Sequence, residues 1–236
     1  MDLIDSLIKE GWLKTPEVIS AFRKIKRVDF LPEDTKDLAE LNDALSIGWG
    51  QTISQPLVVA FMLELLEPKE GEKILDVGSG SGWTSALLAE IVGERGKIIA
   101  IELIPELKEF GEKNVAKYNF AEKGIVKFIC ADGSKGYPKE APFDKILTSA
   151  ALAATKGGKE DLSSLTMAQK LPRAWQEQLK IGGRIVTPIG NSIWLFIKKS
   201  QEEGDESSVH LNSVQEDLVF EEKEYPGFVF VPLIEK

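Results

Sequence analysis

The stretch at 74–83, Ile-Leu-Asp-Val-Gly-Ser-Gly-Ser-Gly-Trp, constrains the rest of the chain more than any other. The apolar run at 73–77 reads as a buried strand. It runs into a loop with Gly78, Gly80 and Gly82 at every second position, and a helical pattern follows over 84–91. Glycine allows the sharp turn and lets the backbone approach a ligand where a Cβ would collide. A helix opening straight after such a loop points unpaired N–H groups at whatever sits in the turn. The arrangement belongs to nucleotide sites in general. The spacing here is G-x-G-x-G, not the G-x-G-x-x-G of dinucleotide folds, and Asp76 stands two residues before the first glycine. A carboxylate there would repel a pyrophosphate and suits the ammonium of an amino-acid moiety. The combination favours S-adenosylmethionine over a nicotinamide dinucleotide.

Downstream, strand and helix patterns alternate. Strands are expected at 73–77, 97–102, 126–131, 145–149 and 184–188, with helices at 84–91, 105–119 and 172–179. This is the pattern of an α/β fold, a parallel sheet with helices on both faces, whose ligands bind at the strand C-terminal ends. Glu102 ends the second of these strands, where a carboxylate can accept from both ribose hydroxyls of an adenosine. Asp132 and Gly133 end the third at the same rim. An acid there can accept from an adenine amino group, or simply shape a turn.

The flanks are less regular. Leu3, Ile4, Leu7, Ile8 and Trp12 recur at helical spacing, and Thr15-Pro16 starts a second helix with Val18, Ile19, Phe22 and Ile25 on its apolar face. Residues 33–46 read as acidic and irregular. Residues 44–56 read as a loop rich in Gly, Trp, Gln, Thr and Ser ahead of a helix at 57–66. Ser54 is placed either to cap that helix or to offer its hydroxyl to an anionic group. The segment 150–171 is long for a strand-to-helix connection, which suggests an insertion, with Gly157-Gly158 as a hinge for a lid or simply surface. A strand is expected at 192–200, a charged hairpin tip at 201–208 and a last strand at 227–234. His210, the single histidine, reads as solvated, and Cys130, the single cysteine, as a small buried hydrophobe.

Composition narrows the function classes. A net charge of −9 argues against a phosphate backbone as the main partner. One cysteine and one histidine are too few for a structural zinc site, and one cysteine cannot form an intramolecular disulfide. The first residues lack the basic and apolar regions of a secretory leader, and no apolar run reaches membrane-spanning length. The cytoplasm is therefore the expected compartment, with neither membrane nor nucleic acid as a partner and a monomer as the default state.

Taken along its length, the chain resembles the protein-L-isoaspartate O-methyltransferase family. The likeness is carried by Arg27-Val28-Asp29-Phe30-Leu31-Pro32, by Gly48-Trp49-Gly50-Gln51-Thr52-Ile53-Ser54, and by the segments 102–107, 132–136, 178–183 and 229–233. The glycine loop is common to many methyltransferases, whereas the Gln51–Ser54 loop together with Phe230-Val231-Pro232-Leu233 is specific. The resemblance implies a Rossmann-like S-adenosylmethionine-dependent methyltransferase sheet with N-terminal helices and extra C-terminal strands. One domain would span 1–236: helices and active-site loop over 1–66, a cofactor-binding core over 67–190 holding the 150–171 insertion, and C-terminal strands over 191–236. It implies a carboxyl O-methyltransferase that methylates the α-carboxyl of L-isoaspartyl residues in damaged proteins or peptides, the first step of protein repair. Carried over residue by residue, Gln51, Thr52, Ile53, Ser54, Asp76, Gly78, Ser79, Gly80, Ser81, Gly82, Glu102, Leu103, Asp132 and Gly133 would meet the cofactor. Ser54 would be the catalytic hydroxyl, and no metal is implied.

Two departures stand out. The family places a histidine just after the Thr-Ile-Ser-x-Pro stretch, and here Leu57-Val58-Val59 follow Pro56. The short loop after the fourth strand has become the 150–171 insertion. A free carboxyl is ionised at neutral pH and is already a nucleophile, so transfer from a sulfonium needs alignment and a dry site, not a base. The missing imidazole is then expected to weaken orientation without abolishing the chemistry. The alternatives are a relative retargeted to another protein or peptide carboxylate and a cofactor-binding relative without catalysis.

Overall fold

A computed structural model describes residues 2–152, 167–200, 218–230 and 233. The expectations for 153–166, the 201–208 hairpin tip and His210 lie outside the described residues.

Helices α1 (Leu3–Lys9) and α2 (Pro16–Lys24) open the chain. Asp2 caps α1, accepting from the Ile4 and Asp5 N–H groups. Residues 44–53 form a small antiparallel hairpin, β1 (Leu45–Gly48) with β2 (Gln51–Ile53), where a loop was expected. Gly48, Trp49 and Gly50 all take positive φ in its turn, which is why two glycines flank the tryptophan. Helix α3 (Pro56–Leu66) follows, and its N-cap is Gln55, not Ser54.

Among the described residues the main sheet has seven strands: β3 (Lys73–Val77), β4 (Lys97–Glu102), β5 (Val126–Cys130), β6 (Phe143–Thr148), β7 (Leu179–Ile189), β8 (Ser192–Lys198) and β9 (Phe220–Pro226). Their order is β5-β4-β3-β6-β7-β8-β9. The first five are parallel to one another, while β8 pairs antiparallel with both β7 and β9. The chain runs outward from β3 through helices α4 (Trp83–Val92) and α5 (Pro105–Ala116) to β5, then returns to the other side of β3 as β6. The C-terminal ends of β3 and β6 thus flank the switch point where ligands enter such sheets.

Alternate residues divide the core. Ile74, Ile98 and Ala100 face the layer built by α2 to α5, whereas Leu75, Val77, Ile99 and Ile101 face Phe143, Leu171 and Trp175, the last from helix α6 (Arg173–Gln178). Burial on both faces accounts for the unbroken apolar runs of β3 and β4. Two expectations fail here. Cys130 is exposed because it ends the edge strand β5. Residues 227–230 lie in no strand, and the last strand among the described residues is β9, which begins seven residues upstream.

Candidate active site

The C-terminal ends of β3, β4 and β5 and the residues after β6 border a narrow cleft of about 60 Å³. Its walls include Gly78 and Gly80 of the glycine loop, Glu102, Leu103, Ile104 and Gly133, with Gln51 and Thr52 of the hairpin closing over them. Three glycines of the loop take positive φ, and Gly82 is the N-cap of α4. Close packing also requires glycine at Gly82 and at Gly133. A Cβ on Gly82 would lie 2.8 Å from the Gly111 carbonyl oxygen, and one on Gly133 would lie 2.4 Å from Val77 Cγ1.

Glu102 is the electrostatic centre of this cleft. Its Oε2 accepts from the Gly80 N–H at 2.9 Å, and its Oε1 accepts from the Leu103 and Ile104 N–H groups at 2.8 and 3.0 Å. One carboxylate thereby ties the glycine loop to the start of α5 while still bordering the cleft. Asp76 lies beneath the loop, fully buried. The Ser85 hydroxyl donates to its Oδ2 at 2.6 Å, and its Oδ1 has no partner among the described residues. Burial pushes its carboxyl up to about 7, opposed by the Ser85 bond and reinforced by the Glu102 charge.

Asp132 shapes a turn, one of the two roles its position allows. Its Oδ1 accepts from the Ser134 N–H at 3.0 Å and the Ser134 hydroxyl at 2.7 Å, capping a short 3-10 turn, while Oδ2 lies 3.2 Å from Lys135 Nζ. The cleft is lined on that side by Ala131 and Gly133. The Gly133 carbonyl is held in turn by the buried indole N–H of Trp175 at 2.8 Å. Ile53, Ser79 and Ser81 are also buried or nearly so behind the lining.

A second, larger cavity of about 480 Å³ adjoins the first. Ser54 lines it, with Asp43, Gln55, Val58 and the segment 227–230. Thr52 and Ser149 line both cavities, so the two meet there. The structure therefore places Ser54 on the neighbouring cavity, apart from the residues of the first cleft. Val58 presents an apolar side chain to this cavity, next to the position where a histidine was expected.

Ser149, Ala150 and Leu233 are among the lining residues of the first cleft that escaped the sequence reading. The Ser149 N–H donates to the Val77 carbonyl at 3.1 Å, and the Leu233 N–H donates to the Ala151 carbonyl at 2.7 Å. Ser149 and Ala150 follow β6 beside the switch point, a position that a sheet order would have flagged. Leu233 belongs to the terminal segment singled out by the resemblance.

The lining suits an adenosine carrying an amino-acid arm. A carboxylate borders the cleft at the end of β4, bonded to the glycine loop beside it, and Asp76 retains a buried acceptor without a donor among the described residues. Sheet order and glycine loop together define a Rossmann-like, S-adenosylmethionine-dependent methyltransferase.

Comparison with known proteins narrows the class. The model of the protein-L-isoaspartate(D-aspartate) O-methyltransferase family matches residues 1–157. A protein-L-isoaspartate O-methyltransferase from Methanopyrus kandleri is 37% identical over 236 residues, covering 98% of this chain and 89% of its own. Protein-L-isoaspartate O-methyltransferase 2 from Archaeoglobus fulgidus is 42% identical over 200 residues, 84% of this chain and 83% of its own. A solved protein-L-isoaspartate O-methyltransferase superposes with a TM-score of 0.75 at 25% identity, over 98% of this chain, which spans 64% of that one. The chain belongs to the protein-L-isoaspartate(D-aspartate) O-methyltransferase family.

Proposed function

We infer that this chain transfers the methyl group of S-adenosylmethionine to the α-carboxyl of L-isoaspartyl residues in damaged proteins, as a protein-repair enzyme. The observation that carries the reading is the junction of the two cavities at Thr52 and Ser149, one bordered by Glu102 and the glycine loop, the other by Ser54.

The bound cofactor supplies an electrophilic methyl on a sulfonium. Everything else falls to the chain. Glu102 is the acceptor for the ribose hydroxyls, and Gln51, Thr52, Gly78, Gly80, Leu103 and Gly133 shape the walls of the cofactor cleft. Asp76 is the counter-charge beneath the loop for the cofactor's ammonium. Ser54 donates its hydroxyl to one oxygen of the acceptor carboxylate and leaves the other free to attack. A carbon–oxygen bond forms as the carbon–sulfur bond breaks, no proton moves, and no base is required. The Leu57 and Val58 pair then deprives the site of an orienting imidazole only. The 1–236 chain acts as one methyltransferase domain with an insertion at 150–171. A monomer in the cytoplasm is the companion reading. Among the described residues no helix is long and apolar enough to cross a membrane.

The test is the chemical nature of the product. An aged protein incubated with methyl-labelled S-adenosylmethionine should gain label that mild alkali releases as methanol, since a carboxyl methyl ester is alkali-labile. An isoaspartyl peptide should compete for it. Alkali-stable label, or label in added nucleic acid, would overturn the reading.

A further inference from the structure

Arg27 is buried, and among the described residues it forms no ion pair with a carboxylate; Asp43 and Glu40 act on it only through their charge, and its guanidinium donates to backbone carbonyls instead. Nη1 donates to the Ala39 and Leu41 carbonyls at 3.2 and 2.8 Å, and Nη2 to the Asp43 and Ser54 carbonyls at 2.7 and 3.3 Å. Its carbon Cζ stands 5.5 Å from the ring centroid of Trp83, the first residue after the glycine loop. A buried cation is costly to desolvate, and burial lowers this guanidinium to about 10. A fold needing only packing here would be served by an apolar side chain.

The four carbonyls locate the reason. Asp43 and Ser54 bracket the β1–β2 hairpin, so one planar group fastens both of its ends. Its geometry suits this task, because guanidinium donors are fixed in a rigid fork. The turn that presents Arg27 is itself anchored. The Tyr118 hydroxyl donates to Asp29 Oδ2 at 2.6 Å and accepts from the Lys26 N–H at 2.8 Å, and Lys117 Nζ donates to the Asp29 carbonyl.

We propose that Arg27 is a positioning residue for methyl transfer: by clamping the Asp43 and Ser54 carbonyls it sets the backbone that carries the Ser54 hydroxyl and the acceptor-cavity wall. The proposal rests on the function inferred above. It assigns Arg27 to the acceptor side, since its partners Asp43 and Ser54 line the acceptor cavity, Ala39 and Leu41 line a separate cavity beside α1 and α2, and none of the four lines the cofactor cleft.

The test uses the full chain with Arg27→Met and Arg27→Lys. Steady-state kinetics are read with an isoaspartyl peptide, S-adenosylhomocysteine affinity by calorimetry, and backbone protection by hydrogen exchange. Loss of several charge-assisted bonds should lower kcat/KM for the peptide about 30-fold or more in Arg27→Met, with cofactor affinity changed less than about threefold. Arg27→Lys, which keeps the charge and loses the fork, should recover only part of that loss. Exchange should quicken over 42–54 and stay slow over 73–102 in both variants. Peptide kinetics within about threefold of the parent in Arg27→Met would overturn the proposal. So would equal losses of peptide turnover and cofactor affinity, or a fully active Arg27→Lys. If the parent itself fails to methylate the peptide, the function inferred above fails, and the exchange pattern alone decides whether Arg27 clamps the hairpin.

Discussion

Ser54, Glu102 and Asp76 divide the proposed work among three side chains, and each yields to a single substitution. Ser54→Ala removes one hydrogen bond to a charged acceptor, about 1.5–3 kcal/mol, so kcat/KM for an isoaspartyl peptide should fall roughly 10- to 100-fold. Cofactor affinity should not follow, because Ser54 lines the acceptor cavity and not the cofactor cleft. Glu102→Gln replaces a carboxylate that accepts from three backbone N–H groups. Calorimetry with S-adenosylhomocysteine should show a dissociation constant raised roughly 10- to 100-fold, with peptide KM less affected. Glu102 was legible in the sequence because an acid ending a buried strand has few places to point. Asp132 was legible only as one of two alternatives, and the Asx-type cap it forms with Ser134 is the local bond that short polar side chains make in turns. Cys130 was misread because its neighbours are apolar, while its exposure is decided by the sheet order that makes β5 an edge.

At the scale of elements, the glycines are the sensitive joints. Gly133→Ala would drive a methyl against Val77 Cγ1, 2.4 Å from the ideal Cβ position, between the ends of β5 and β3. Overpacking of that kind costs about 1–3 kcal/mol, so thermal unfolding should begin several degrees lower and cofactor affinity should drop with it. The parallel strands were readable because burial on both faces writes an unbroken apolar run. The hairpin was not. Strands of four and three residues are too short to show a period, and the turn between them holds two glycines. β9, Phe-Glu-Glu-Lys-Glu-Tyr-Pro, is mostly polar since it closes the sheet at its far edge, and its register is set by β8. The apolar residues after it mimic a strand for another reason. Phe228 stacks on Phe61 of α3, with ring centroids 5.5 Å apart, and so covers the acceptor cavity.

At the scale of the whole molecule, a buried acid beneath the ligand site couples stability to function. Asp76 is raised to about 7 in the fold from an ordinary 3.8. Between those values the folded chain holds a proton that the unfolded chain has lost, so its contribution to stability declines as pH rises through that window and is level above it. Asp76→Asn should therefore raise the unfolding temperature at pH 8, with an advantage that shrinks toward pH 4. It should also weaken cofactor binding, which in the parent should release protons near pH 6.5 as the ammonium draws Asp76 into its ionised form. Scanning calorimetry and titrations in two buffers of different ionisation enthalpy read both effects. The central claim concerns the acceptor, and one assay reaches it directly: transfer of labelled methyl to a short isoaspartyl peptide beside its normal aspartyl twin. Labelling of the isoaspartyl peptide alone is the expected result, and it would show that Leu57 can stand where the family has histidine. Labelling of both peptides alike, or of neither while S-adenosylhomocysteine still binds, would contradict it.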